Sequence, residues 1–310
     1  MIVGASLIVF LFFLILIGTP VFVSLGFTGT IGLIIIGMGR AYGDPLISIP
    51  QSLYSGIGFF PLLAIPLFIL AGEIMGRSGI TDRLVRFSVM LIGRMPASLA
   101  NANILSSMFF GGITGSAQAD TSAIGGILIP AMEKEGYSKE IAVAVTASSS
   151  TVGPIIPPSI IMVIYGVSVG TSIGALFTAG VVPGILIGCS LIFTVLALDR
   201  KHKFPRRTEA IPFREKLIIT RDAIWPLGMP AIIVVGILGG VVTPTEAGAL
   251  AVLYSLVFGY LIQRSLTLSD FPKMLRHTAM LTAAVMLIIS CAKILSYVFT
   301  VYQMPVLIGE

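Results

Sequence analysis

Apolar runs of membrane length alternate along this chain with short polar links. Ile2 to Ile17 carries no charge, and Gly18-Thr19-Pro20 parts it from a second apolar run that reaches Gly39. The two together exceed the ~20 residues of one crossing, so they predict two helices joined by a tight turn. Arg40 to Asp44 is a polar link, and Pro45 to Phe60 is amphipathic and Gly-containing, which predicts an interfacial arm. Pro61 to Gly76 predicts a span. Arg77 to Arg94 sets four arginines against Asp82, and its amphipathic centre predicts a helix lying along the surface.

The middle of the chain breaks the pattern. Ala97–Phe110 and Ser122–Met132 are apolar but only half as long as a crossing needs, and ITGSAQADT lies between them. This is the form of a re-entrant helical hairpin whose tip stops inside the membrane. Glu133–Glu140 predicts a solvated loop. Ile141–Val152 and Ile160–Gly170 are again half-length, joined by GPIIPPS, as in a crossing helix broken in its middle. Ser172–Leu198 returns across the membrane. Asp199–Asp222, with eight Lys/Arg against four acids, predicts a cytoplasmic loop. Leu227–Val241, Thr245–Ile262 and Thr278–Phe299 are the remaining spans.

Composition agrees with a membrane protein. The chain is 56% hydrophobic and 11% charged with a mean hydropathy of +1.03, against ~25% charged in a soluble domain. The ten-residue alternation of an outer-membrane barrel is absent. The net charge of +5 sits in links, so it reports orientation and argues for no nucleic-acid partner. Cys189 and Cys291 fall in apolar runs as packing residues. His202 and His277 fall in links, where they are expected to be solvated.

The breaks recur. Thr19-Pro20 returns as Thr243-Pro244, and the same offset lays the spans at Val3, Val21 and Pro61 on those at Leu227, Thr245 and Val285. With the basic links placed inside, the two halves run with opposite topology. Inverted repeats are the architecture of alternating-access carriers. The hairpin's partner would fall beyond Glu310, which predicts a longer whole of roughly 430 residues. The expected fold class is an all-α polytopic membrane protein, an inverted-repeat elevator-type transporter with a re-entrant hairpin and a broken helix. Its expected divisions are 1–95 (scaffold-like spans, arm and surface helix), 96–198 (transport core), 199–226 (basic cytoplasmic loop) and 227–310 (start of the second repeat).

Six stretches carry a resemblance: PLFILAGEIM (Pro66–Met75), GITGSAQADTSAIGGILIPAM (Gly112–Met132), EGYSKE (Glu135–Glu140), VGPIIPPSIIMVIYG (Val152–Gly166), LFTAGVVPG (Leu176–Gly184) and TPTEAGALAV (Thr243–Val252). Together they resemble the large permease subunit of the tripartite ATP-independent periplasmic (TRAP) transporters, the DctM-like family. The resemblance implies a sodium-coupled importer of organic acids, such as C4-dicarboxylates or sialic-acid-like carboxylates, in the bacterial inner membrane. It implies a small four-helix membrane subunit (DctQ-like) and a periplasmic solute-binding protein (DctP-like) as partners, with Na+ as coupling ion and no cofactor. A one-component anion carrier of related build is the alternative. An intramembrane enzyme using Asp120 would lack a second acid or a metal cluster, and no Walker-type loop suggests ATP.

Sodium wants oxygen ligands. The hairpin tip and the broken helix offer Gly115, Asp120, Ser149, Ser150, Thr151, Gly153 and Pro154 for the cation, because prolines leave carbonyls unpaired. Helix N-termini near Thr121 and Ser159 attract a carboxylate, so Ser116, Gln118, Thr121 and Ser159 are the candidates for substrate. Asp120 is equally open to capping the second half-helix, and Ser148–Thr151 to small-residue packing. Lys293, inside the last span, is a further substrate candidate; snorkelling and pairing across a subunit interface are its other readings. Thr243 to Glu246 predicts a capping box, and Glu73 with Arg77 an interfacial ion pair.

Overall fold

The computed structural model describes residues 2–38, 45–206 and 211–304. Among the described residues all regular structure is helical. The order is α1 (Ile2–Leu16), α2 (Val21–Met38), α3 (Pro45–Ile57), a 3-10 turn (Phe60–Leu63), α4 (Ala64–Arg77), α5 (Ile80–Ile92), α6 (Ser98–Thr114), α7 (Ala117–Glu135), α8 (Lys139–Ser150), α9 (Ile160–Val169), α10 (Ile173–His202), α11 (Phe213–Leu238), α12 (Pro244–Leu256) and α13 (Phe271–Val301). A π-helical turn, Val257–Ile262, continues α12. Among the described residues, five stretches are long and apolar enough to cross a membrane: Phe60–Arg77, Ile173–His202, Phe213–Leu238, Pro244–Ile262 and Leu268–Val301. The polar link Arg40–Asp44 lies outside the described residues.

Contacts divide the chain into one unit of Met1–Leu62 with Ala279–Glu310 and another of Leu63–Thr278. These units differ from the divisions expected at 95, 198 and 226: α4 and α5 group with the hairpin, and α13 from Ala279 onward with the first helices.

In the first unit Leu7, Leu33, Ile36, Ile294 and Val298 form the core. α2 presents Gly26, Gly29 and Gly32 to α13. A Cβ at Gly32 would lie 2.6 Å from Val298 Cγ1, and one at Gly29 2.8 Å from Ile294 Cγ2. Residues three apart share a helix face, so these glycines form one smooth seam along which the two backbones close up. α3 joins the same bundle, with the Ser290 hydroxyl donating to the Leu53 carbonyl at 3.0 Å.

In the second unit α4 buries Ala64, Ile65, Phe68, Ile69, Ala71, Ile74 and Met75 and packs on α12, whose Gly248 admits Leu67. The expected capping box starts α12: Thr243 Oγ1 accepts from the Glu246 N–H, and Glu246 accepts from the Thr243 N–H, with Pro244 in the first turn. α5 is amphipathic as its sequence requires, burying Ile80, Leu84 and Val85. Arg83 bonds to Gln263 beyond the π-helical turn, and its guanidinium lies 5.7 Å from the centre of the Phe258 ring.

Three expectations about the polar stretches need correction. Asp199–Asp222 is not one loop. Asp199 to His202 finish α10, Phe213 starts α11, and residues 207–210 lie outside the described residues. Arg200, Lys201 and His202 in a last turn, and Glu215 in a first turn, suit the helix dipole, so charge marks helix ends here. The loop at Glu133–Glu140 shrinks to residues 136–138, because Gly136 (φ +99°) closes α7 and the Ser138 hydroxyl caps α8. His277 is not a solvated link residue. It lies in α13, and its Nδ1 stands 2.9 Å from Glu73 Oε2. Glu73 also meets Arg77 at 2.6 Å, as expected.

Candidate functional site

The site begins at two helix breaks. α6 ends at Thr114; Gly115 takes the left-handed conformation (φ +60°) and its N–H bonds the Gly111 carbonyl at 2.9 Å. Ser116 is extended, and its hydroxyl accepts from the Ala119 N–H at 3.3 Å. The hairpin tip is therefore Gly115-Ser116 alone, and the rest of ITGSAQADT is helical. Gln118, Asp120 and Thr121 sit in the first turns of α7. Ser116 is the cap, which overturns the cap role for Asp120.

The second break is as expected. α8 stops at Ser150, turns carry the chain through Thr151 to Pro158, and Ser159 starts α9. The Ser159 hydroxyl accepts from the Met162 N–H at 3.2 Å and donates to the Pro154 carbonyl at 2.5 Å.

The two breaks meet. A Cβ at Gly111 would lie 2.6 Å from Gly153 Cα. A Cβ at Gly115 would run into the Pro158 carbonyl oxygen and lie 3.0 Å from Ser159 Cα. The N-termini of α7 and α9 thus converge at the tip. The first N–H groups of a helix lack partners within it and carry partial positive charge, so the junction favours an anion.

Beside it lies a hydroxyl-rich seam. Thr121 Oγ1 donates to Ser150 Oγ at 2.7 Å, joining α7 to α8. Ser107 and Ser149 hydroxyls are 3.0 Å apart, and Asn103 Nδ2 donates to Thr146 Oγ1 at 2.7 Å. Asp120 is fully buried. Neither of its carboxyl oxygens has a partner at hydrogen-bonding geometry, Ser107 being the hydroxyl beside it. A buried carboxyl with no compensating charge either holds a proton or draws a cation. No cluster of three His, Cys, Asp or Glu occurs among the described residues; carboxyl, hydroxyl and carbonyl oxygens are ligands of hard cations.

Gly115, Ser149, Ser150, Gly153 and Ser159 are buried around this junction, while Gln118, Thr121 and Thr151 are exposed on its rim. Ser116 and Pro154 lie between these extremes. Lys293 belongs to the first unit, where a Cβ at Gly56 would lie 3.2 Å from its own Cβ. Sequence reasoning missed Asn103, Ser107 and Thr146. Polar residues one turn apart inside the apolar run of α6 were the available signal, because such residues in a membrane helix face the interior of a bundle.

Membrane-length helices around a hairpin docked on a broken helix are the build of a secondary transporter. Residues 8–310 match the family described as tripartite ATP-independent periplasmic transporter, DctM component, and the chain belongs to that family. It is a transporter permease component and not an enzyme. It is 40% identical over 296 residues to the uncharacterised protein YgiK of Salmonella typhimurium, covering 95% of this chain and 67% of that one. The isethionate TRAP transporter permease DctMQ of Oleidesulfovibrio alaskensis is 35% identical over 95% of this chain and 46% of its own. The ectoine large permease TeaC of Halomonas elongata is 36% identical over 96% and 69%. The chain thus spans about half to seven-tenths of the length of these relatives.

Proposed function

We propose that the protein serves as the large membrane subunit of a sodium-coupled importer of organic acids in the bacterial inner membrane. A periplasmic binding protein delivers the substrate, a small four-helix membrane subunit accompanies the chain, and the hairpin-bearing region moves as an elevator between inverted repeats. The observation that carries this reading is Asp120. It is fully buried beside the Ser107 hydroxyl, neither carboxyl oxygen has a partner at hydrogen-bonding geometry, and it lies one helical turn from a junction of two helix N-termini.

In this reading Asp120, the Ser149, Ser150 and Thr151 hydroxyls and the carbonyls at Gly115, Gly153 and Pro154 supply the oxygens for sodium. Ser116, Gln118, Thr121 and Ser159 meet the carboxylate. The cation offsets the charge of Asp120 and raises the positive potential at the junction, so each ligand strengthens the other's binding. Lys293, the remaining substrate candidate, belongs to the first unit.

The test is uptake into proteoliposomes holding the chain and its small membrane subunit, fed by the loaded binding protein. An inward sodium gradient should drive accumulation and an equal potassium gradient should not. Asp120→Asn should abolish the sodium dependence. Uptake indifferent to sodium would overturn the proposal.

A further inference from the structure

Two helix pairs in this chain are built alike. Thr19-Pro20 opens α2 and Thr243-Pro244 opens α12, at an offset of 224 residues. The same offset carries the last residue of α4, Arg77, onto the last residue of α13, Val301. The chain leaves both helices in the same way. The Ser78 N–H bonds the Ile74 carbonyl and the Tyr302 N–H bonds the Val298 carbonyl, each at 3.1 Å. One residue further on, Gly79 (φ +76°) and Gln303 (φ +52°) are both left-handed, a conformation few non-glycine residues adopt. The packing partners correspond as well. α2 lies on α13, where a Cβ at Gly26 would stand 3.1 Å from Cys291 Sγ, and α12 lies on α4, where a Cβ at Gly248 would stand 2.9 Å from Leu67 Cβ. Leu67 and Cys291 are one offset apart.

On a second face the two helices differ. Phe68 of α4 packs on Phe177 of α10 with ring centres 6.4 Å apart. Gly72, one turn on, meets the end of α6: a Cβ there would stand 3.4 Å from Thr114 Cα and 3.7 Å from Thr114 Cβ. Phe68, Ile69 and Gly72 are all buried. Their counterparts on α13 are Ala292, Lys293 and Ser296, of which Ala292 is half-buried and the other two are exposed. The face that carries the hairpin on α4 is thus open on α13 among the described residues. About a third of the length of YgiK and of TeaC lies outside the part this chain matches, which is ample for another hairpin of the size of Ser98–Glu135.

We propose that the Ala292–Ser296 face of α13 seats a second re-entrant hairpin of this same polypeptide, inverted relative to α6 and α7, with the end of its first helix against Ser296 as Thr114 lies against Gly72. Ala292 and Ser296 are small residues four apart, the spacing that lets membrane helices approach closely. Lys293, one turn before Ser296, is then covered by protein, as Ile69 is on α4. Register and size define the seat, and the charge of Lys293 does not. The inference rests on the inverted-repeat reading above and names the residues on which the second half of the core docks.

The experiment uses the full-length polypeptide in membranes, co-expressed with its small subunit. A photoreactive diazirine analogue of lysine in place of Lys293 should cross-link to the same polypeptide beyond residue 310. Cross-links confined to lipid, to another polypeptide or to residues 1–310 would overturn the proposal. The register is tested by cysteine pairs in a chain carrying Cys189→Ser and Cys291→Ser. Gly72→Cys with Thr114→Cys places the two Cβ atoms about 3.7 Å apart, inside the range of a disulfide, and should oxidise to one. Ser296→Cys with a cysteine 224 residues beyond Thr114 should do the same. Closure of the first pair without the second would overturn the seat, and the photo-cross-link decides if neither closes. Sodium-driven uptake by the unaltered protein separates this inference from the importer reading. Uptake driven by sodium with cross-links going elsewhere leaves that reading standing and overturns the seat. Uptake indifferent to sodium overturns that reading, and the cross-links still decide the seat.

Discussion

Gly115→Ala tests the junction of the two breaks. The substitution has two consequences. An alanine at φ +60° costs about 1–2 kcal/mol in backbone strain. Its methyl also meets the Pro158 carbonyl oxygen and Ser159 Cα, the latter at 3.0 Å. Ordinary carbon contacts lie at ~3.5–4.0 Å, so the tip must move off α9 by roughly 0.5–1 Å. Overpacking of this kind costs about 1–3 kcal/mol more. Gly170 separates the two costs. It has φ +73°, and a Cβ there meets nothing within 4 Å, so Gly170→Ala carries the strain alone. The assay is thermal unfolding of purified protein in sodium chloride and in potassium chloride. For a chain of this size the extra cost of Gly115→Ala over Gly170→Ala corresponds to roughly 1.5–5 °C. If the proposed sodium site exists, sodium at a hundredfold excess over its dissociation constant stabilises the protein by about 2.7 kcal/mol. That increment should shrink in Gly115→Ala and persist in Gly170→Ala. Equal losses of stability in the two variants would refute the close approach, and an undiminished sodium increment in Gly115→Ala would refute the coupling of the junction to the cation.

Other substitutions probe the surroundings. Thr121→Val removes the bond to Ser150 and should raise the sodium concentration for half-maximal stabilisation about tenfold, near the ~1.5 kcal/mol of one hydrogen bond. Asn103→Ala leaves Thr146 and Ser149 without their amide partner and should cost about 1–3 kcal/mol of unfolding free energy. Tyr137 stacks on Phe204 with centroids 5.3 Å apart, while its hydroxyl only grazes the Pro205 carbonyl at 3.5 Å. Tyr137→Phe should therefore leave the melting temperature near wild type, and Tyr137→Ala should cost about 3–5 kcal/mol. Thr243→Val should lose about 1 kcal/mol with the cap of α12.

Local chemistry was legible in the sequence. The Thr243–Glu246 box, the stop at Gly18-Thr19-Pro20 and the half-length runs on either side of GPIIPPS depend on neighbours a few residues apart, and each is where its residues place it. The hairpin tip was drawn too long because polarity stood in for conformation. Ala117 to Thr121 are polar or small and yet helical, since a Ser cap at 116 lets a helix start at once. The same substitution of charge for loop misplaced Asp199–Asp222. Pairings between distant residues left no trace in periodicity. His277 meets Glu73, and Arg83 meets Gln263, only because the fold brings their helices together. Asn103 was missed for the same reason: its partners lie on α7 and α8.

At the hairpin tip main chain meets main chain, Gly111 on Gly153 and Gly115 on Pro158 and Ser159. Such a joint has no side chain to exchange, so mutation can only add atoms to it and spoil the fit. Gln118 and Ser148 stand exposed nearby and are free to vary. Preference for one cargo over another can then drift through the rim while the mechanical joint stays fixed, and swapping rim residues becomes the natural route to redesign.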